Sequence, residues 1–114
     1  MPKLPEELLR HILDECNYLQ SVAQKLNTFD DLMGNEDLKR SVTRSVEIIG
    51  EASKNIPVDI KLKWKEVDWK AITAMRNKLV HEYFGVNYVI VWDVIRNKIP
   101  EFNKQVKDIL EGFE

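Results

Sequence analysis

The sequence predicts an all-α protein, an antiparallel bundle of four to five helices. Three observations carry this. Apolar residues recur at three- and four-residue spacing over most of the chain. Gly and Pro number only four each, too few to punctuate many strands and turns. No segment that could be extended has a second segment to pair with.

The first helix is expected from Pro5 to about Asn27, where Leu8, Leu9, Ile12, Leu13, Cys16, Leu19, Val22, Ala23 and Leu26 hold one stripe. Pro5 suits a first turn, and Glu6 and Glu7 favour the positive helix end. Thr28-Phe29-Asp30-Asp31 then offers turn and capping residues. A second long helix follows through Leu38, Val42, Val46, Ile49 and Ala52 until Asn55-Ile56-Pro57 stops it. Residues 57–67 alternate Lys with apolar side chains and read as a short helical turn or irregular connection. Asp68 is a good N-cap for a third main helix with a stripe through Trp69, Ile72, Met75 or Arg76, Leu79 and Tyr83, and Gly85 is placed to end it. The last region runs from about Asn87 through Val91, Trp92, Val94 and Ile95, breaks around Ile99-Pro100, and resumes through Phe102, Val106, Ile109 and Leu110. Gly50, inside a helix at a cost of about 1 kcal/mol relative to Ala, implies close approach by another backbone or a ligand.

A chain of 114 residues is a single domain with a core of limited size, so a partner subunit fits. Its one cysteine, Cys16, cannot close an intrachain disulfide and lies in the apolar stripe of the first helix. It reads as buried core, not as a nucleophile, and a reducing cytoplasm suits it. The N-terminus lacks a cationic start followed by an apolar run, and no apolar stretch is long enough to cross a bilayer, so the expectation is neither export nor membrane insertion.

Charge is unevenly spread. Residues 61–81 carry six Lys/Arg against Glu66 and Asp68, a balance of +4, while the rest of the chain holds −6 of the total −2. Such a patch attracts polyanions such as nucleic acid; a solvated face of ordinary lysines is the plain alternative.

Within that patch, Arg76-Asn77-Lys78-Leu79-Val80-His81-Glu82-Tyr83 combines a guanidinium, an imidazole and a phenol. Arg matches phosphate oxygens with a rigid fork of donors, and His both takes and gives a proton near neutrality. The other histidine is His11, which leaves His81 as the natural acid–base candidate. On an ideal helix His81 lies roughly 140° around from Arg76. The two converge only if the helix ends between them or a second copy completes the site across a two-fold axis. A structural account competes: Arg76 pairing with Glu51 or another acid, His81 capping helical carbonyls, Tyr83 in the core. Trp64, Trp69 and Trp92 could stack bases, though in a small bundle such residues more often serve core or interface. A Gly-rich phosphate loop, paired cysteines, His-x3-His and Gly-x-Ser-x-Gly are all missing from the sequence, so P-loop, structural zinc, zincin and serine hydrolase chemistry lack their signals.

Longer blocks agree with one family. Ser45-Val46-Glu47-Ile48-Ile49-Gly50-Glu51-Ala52, then Trp69-Lys70-Ala71-Ile72 leading to Met75-Arg76-Asn77, then His81-Glu82-Tyr83-Phe84-Gly85-Val86 and Val91-Trp92 resemble, in order and over nearly the whole chain, the HepT-like branch of the HEPN superfamily. The sequence departs at Asn87 and Ala74, where relatives often carry Asp and Gly. The resemblance implies a dimeric HEPN-like bundle acting as a metal-independent endoribonuclease toxin, needing no cofactor, encoded beside a minimal nucleotidyltransferase antitoxin. It makes Arg76 and His81 the catalytic pair, Asn77 and Glu51 supporting residues, and Tyr83 the acceptor of AMP from the partner. Lys70 and Lys78 become candidate contacts for RNA. The expected partners are RNA, the nucleotidyltransferase and a second copy of the chain, with further association of dimers left open. A non-catalytic nucleotide-binding or regulatory partner of the nucleotidyltransferase is the alternative.

Overall fold

A computed structural model describes residues 4–81 and 85–113, with the backbone alone at Val80 and His81. Helix α1 spans Pro5–Lys25, with Pro5 in the first turn where its missing N–H is no loss, and buries Leu8, Leu9, Ile12, Cys16, Leu19 and Val22. It stops two residues short of Asn27. The N–H groups of Asn27 and Thr28 donate instead to Asp31 Oδ2 at 2.9 and 3.1 Å, and Thr28 Oγ1 accepts from the Asp31 N–H at 3.2 Å. This reciprocal capping box opens a short helix α2, Phe29–Met33.

Asn35 caps α3, Glu36–Lys54, its Oδ1 accepting from the Leu38 N–H at 3.0 Å. The expected connection contains α4, Val58–Lys63, which buries no residue. Asp68 caps α5, Trp69–Leu79, as its sequence position predicts, with Oδ1 accepting from the Ala71 N–H at 3.1 Å. Trp69 belongs to the core: its ring stands edge-on to Phe102 at 6.2 Å and its indole N–H donates to the Trp64 carbonyl at 3.0 Å. Trp64 and Trp92 are half-buried.

Two expectations are corrected. Helix α5 does not run on to Gly85 but ends at Leu79, because the Leu79 carbonyl accepts the Asn87 N–H at 2.8 Å and the chain folds back. Strands β1, Val80–His81, and β2, Gly85–Val86, pair antiparallel there, with His81 opposite Gly85. Gly85 serves that turn with φ +77°, a backbone region that side chains other than glycine's rarely tolerate. The stripe beyond Leu79, including Tyr83, falls outside the described residues. The second correction concerns the last helix. After α6, Tyr88–Asp93, the irregularity is a π-helical turn over Val94–Lys98, and Pro100 sits in the first turn of α7, Ile99–Glu111. The wider turn relieves the clash of the Pro100 ring with the carbonyl four residues earlier. Asn87 caps α6 through Ile90 N–H at 3.3 Å. Asp caps a helix as well as Asn does, so the expected Asp would serve the same bond.

Side-chain bonds fix the helix directions. Glu15 meets Ser45 and Tyr18 meets Ser41, so α1 and α3 are antiparallel. Leu26 meets Arg96 and Asn17 meets Asn103, so α1 also opposes the α6–α7 column. Gln105 reaches Glu66 while Phe102 meets Trp69, which sets α5 against α7 as well. Four helical columns therefore alternate as an antiparallel bundle, all-α apart from the two-residue ladder. Fully buried Leu9, Ile12, Ile49, Leu79, Ile99 and Phe102 lie at its centre. Cys16 is fully buried, and desolvation, helped by the Glu15 charge, pushes its thiol up to about 12, so it is inert at neutral pH.

Candidate functional site

The site begins where α3 and α5 touch. Gly50 has no side chain, and a Cβ built on it would lie 3.5 Å from Arg76 Cβ and from the Thr73 carbonyl and 3.6 Å from the Ile72 carbonyl. Close approach by another backbone is thus what its sequence position implied. The next residue, Glu51, reaches across the contact, and Arg76 Nη1 donates to its Oε2 at 2.8 Å. Both side chains are more than half exposed, at 53% and 57%. A pair this wet contributes about 1 kcal/mol or less to stability. It orients the guanidinium without tying it up, so an arriving phosphate can replace the carboxylate.

Past Arg76 the helix has three residues left, and His81 lies two residues beyond its end, in β1. The 140° separation of an ideal helix therefore does not apply to this pair. Because α5 opposes α3, the chain leaves Arg76 in the direction of the N-terminal half of α3. Asn77 and Lys70 are exposed. Lys78 is turned elsewhere: with Glu66, Asp68, Asp93 and Glu101 it lines a separate cavity of about 340 Å³ between α5 and the α6–α7 column. Of the residues singled out in the sequence, then, Arg76 and Glu51 meet, and Lys78 does not join them. Tyr83 lies outside the described residues, as does the His81 side chain.

Arg76 and Glu51 form one wall of a groove of about 590 Å³. Leu8, Ile48 and Ala52 give it an apolar floor, and Arg44, Glu47, Asn55 and His11 share its rim. Arg44 and Glu47 approach to 3.9 Å. His11 is the residue that reading along the sequence passed over. Its only signal there is a place one turn after Leu8, on the flank of the apolar stripe of α1, and the α1–α3 register is needed to bring it opposite Ile48. Among the described residues no group of three or more His, Cys, Asp or Glu is arranged to hold a metal ion. None of the described helices is long and apolar enough to cross a membrane.

The antiparallel helical bundle agrees with the class that the relatives of this chain define, the HEPN-type RNA endonucleases. The family model described as ribonuclease HepT-like matches residues 12–109, and the chain belongs to that family. A protein of Caldanaerobacter subterraneus subsp. tengcongensis with a provisional RNase name is 49% identical over 109 residues, covering 96% of this chain and 96% of the relative. One of Methanocaldococcus jannaschii, also provisionally named an RNase, is 34% identical over 116 residues, covering 100% of this chain and 94% of its own. A protein of Thermococcus cleftensis provisionally named ribonuclease HepT is 37% identical over 100 residues, covering 88% and 90%. No solved structure matches the chain.

Proposed function

We propose that this chain is a metal-independent endoribonuclease toxin of the cytoplasm in which Arg76 and His81 act on one phosphodiester. The observation that carries the reading is Arg76 itself, held by Glu51 at the edge of an open groove and weakly enough to be exchanged. Arg76 stabilises negative charge on the phosphoryl oxygens, and His81 moves a proton during attack of the ribose 2′-hydroxyl or departure of the 5′-oxygen. Asn77 and Glu51 support the guanidinium, while exposed Lys70 draws in the RNA backbone; Lys78, which faces the separate cavity beside the α6–α7 column, does not share that role.

Control comes from a minimal nucleotidyltransferase antitoxin that attaches AMP to Tyr83. Bulk and negative charge two residues from His81 would then exclude RNA by sterics and repulsion. The working form is a homodimer, which fits the limited core of so short a chain. The test is incubation of purified protein with RNA in EDTA beside Arg76→Ala and His81→Ala. Cleavage by the wild type and loss of about a hundredfold or more in each variant is expected. An inactive wild type, or variants that cut equally well, would overturn the reading. For Tyr83, intact mass after incubation with ATP and the nucleotidyltransferase should rise by one or more AMP groups, and an unchanged gain in Tyr83→Phe would exclude this acceptor.

A further inference from the structure

Cleavage through the 2′-hydroxyl needs two proton transfers on opposite sides of one phosphorus. The P–O2′ bond forms as the 2′-hydroxyl proton leaves, the P–O5′ bond breaks as O5′ gains a proton, and the products are a 2′,3′-cyclic phosphate and a 5′-hydroxyl. One imidazole cannot take and give in the same event. The second group must come from another copy of the chain or from elsewhere in this one.

We propose that His11 is that second proton-transfer residue, acting on the scissile phosphodiester from the α1 side of the groove that Arg76 bounds. The inference rests on the ribonuclease reading above and adds a catalytic residue to it. The chain contains two histidines. One follows α5 in the Arg76 motif; the other, 70 positions away in the sequence, lines the same cavity as Arg76. The antiparallel register of α1 and α3, set by Glu15 with Ser45 and Tyr18 with Ser41, carries His11 to the level of Ile48, one turn from Glu51.

The groove suits a reacting phosphodiester. Its volume of about 590 Å³ admits a phosphate with part of the flanking sugars. The floor of Leu8, Ile48 and Ala52 offers apolar surface for a sugar or base edge beside the phosphate. The charged groups lining the groove with His11 are Arg44, Glu47 and Glu51 from α3 and Arg76 from α5, with Glu7, Asp14 and Glu15 one turn away on α1 itself. The two arginines take the phosphoryl charge. Glu47 and Glu51 stand beside those arginines, at 3.9 and 2.8 Å, and the imidazole is the side chain of the groove suited to both taking and giving a proton.

The experiment compares kcat, KM and the pH dependence of kcat for RNA cleavage by wild type, His11→Ala, His11→Gln and Arg76→Ala, with folding followed by circular dichroism. Both His11 variants should lose about a hundredfold or more in kcat with KM little changed, and both should lose one limb of a bell-shaped profile. Should His11→Ala fold poorly, the larger, polar Gln variant carries the comparison. A His11 variant within about fivefold of wild-type kcat and with both limbs intact overturns the inference, as does a change confined to KM. That outcome beside an inactive Arg76→Ala sinks the role of His11 alone; a wild type that never cuts RNA sinks the ribonuclease reading first.

Discussion

Arg76 and Glu51 are joined at 2.8 Å where α3 and α5 pack closely across Gly50, the small residue before Glu51. The pair is exposed, so its value is orientation rather than cohesion. Glu51→Gln keeps the shape and removes the charge. Its thermal midpoint should barely move, since an exposed pair contributes at most about 1 kcal/mol. Its kcat for RNA should fall about tenfold as the guanidinium loses its aim, while KM does not rise because a carboxylate no longer repels phosphate. A large stability loss with unchanged kcat would make Glu51 a structural residue instead.

Gly50 yields a prediction with opposite signs for two substitutions. A Cβ at this position meets its nearest neighbours at 3.5 to 3.6 Å, ordinary contact. Gly50→Ala should therefore keep the helix packing and gain up to about 1 kcal/mol of helix propensity, seen as a higher urea midpoint. Gly50→Leu has no room between α3 and α5 and should cost about 1–3 kcal/mol. It should also lower RNA cleavage, because prising the helices apart separates Glu51 from Arg76. An Ala variant as unstable as the Leu variant would contradict this geometry.

These residues also show how far the sequence reaches. Gly50, the Asp68 cap, the Thr28–Asp31 turn and buried Cys16 are local or stripe properties, and each was readable because its cause lies within a few residues. The end of α5 was not, since it depends on Asn87 capturing the Leu79 carbonyl from eight residues away. The π-helical turn before Pro100 was visible only as an interruption, because the proline marks the strain while the widening that relieves it lies upstream. The contact of Arg76 with Glu51 was legible as the pairing that a structural account of Arg76 expects. His11 was not, because its place in the groove follows from the register of two helices and from no pattern of its own.

The capping box gives an acid-side prediction. Backbone N–H groups of Asn27 and then Thr28 donate to Asp31 and hold its carboxyl below the usual carboxylate range. A folded-state pKa that is depressed contributes stability above the ordinary value, and that contribution is lost as pH falls through the depressed one. Wild type should thus lose stability faster than Asp31→Ala as pH drops from about 5 towards about 3, so that the gap between their urea midpoints narrows. A gap that stays constant across this range would mean the carboxylate charge contributes nothing to the cap.

Cys16 predicts the reverse sign at alkaline pH. Burial, first, and the neighbouring Glu15 charge raise its thiol from 9.0 to about 12. Between those values the unfolded chain has released the proton and the native protein still holds it, so the unfolded state binds fewer protons and stability falls as pH rises. The contribution is fully present below about pH 9 and disappears towards about pH 12. Cys16→Ala should be less stable at neutral pH, because a buried side chain is shortened, yet its stability should decline less steeply through this window. Lysines and tyrosines common to both proteins cancel in the difference. The same burial predicts that the native thiol resists alkylation at about pH 8 and reacts once urea unfolds the chain. Rapid labelling of the folded protein, or equal alkaline slopes for the two proteins, would show that Cys16 is reached by water.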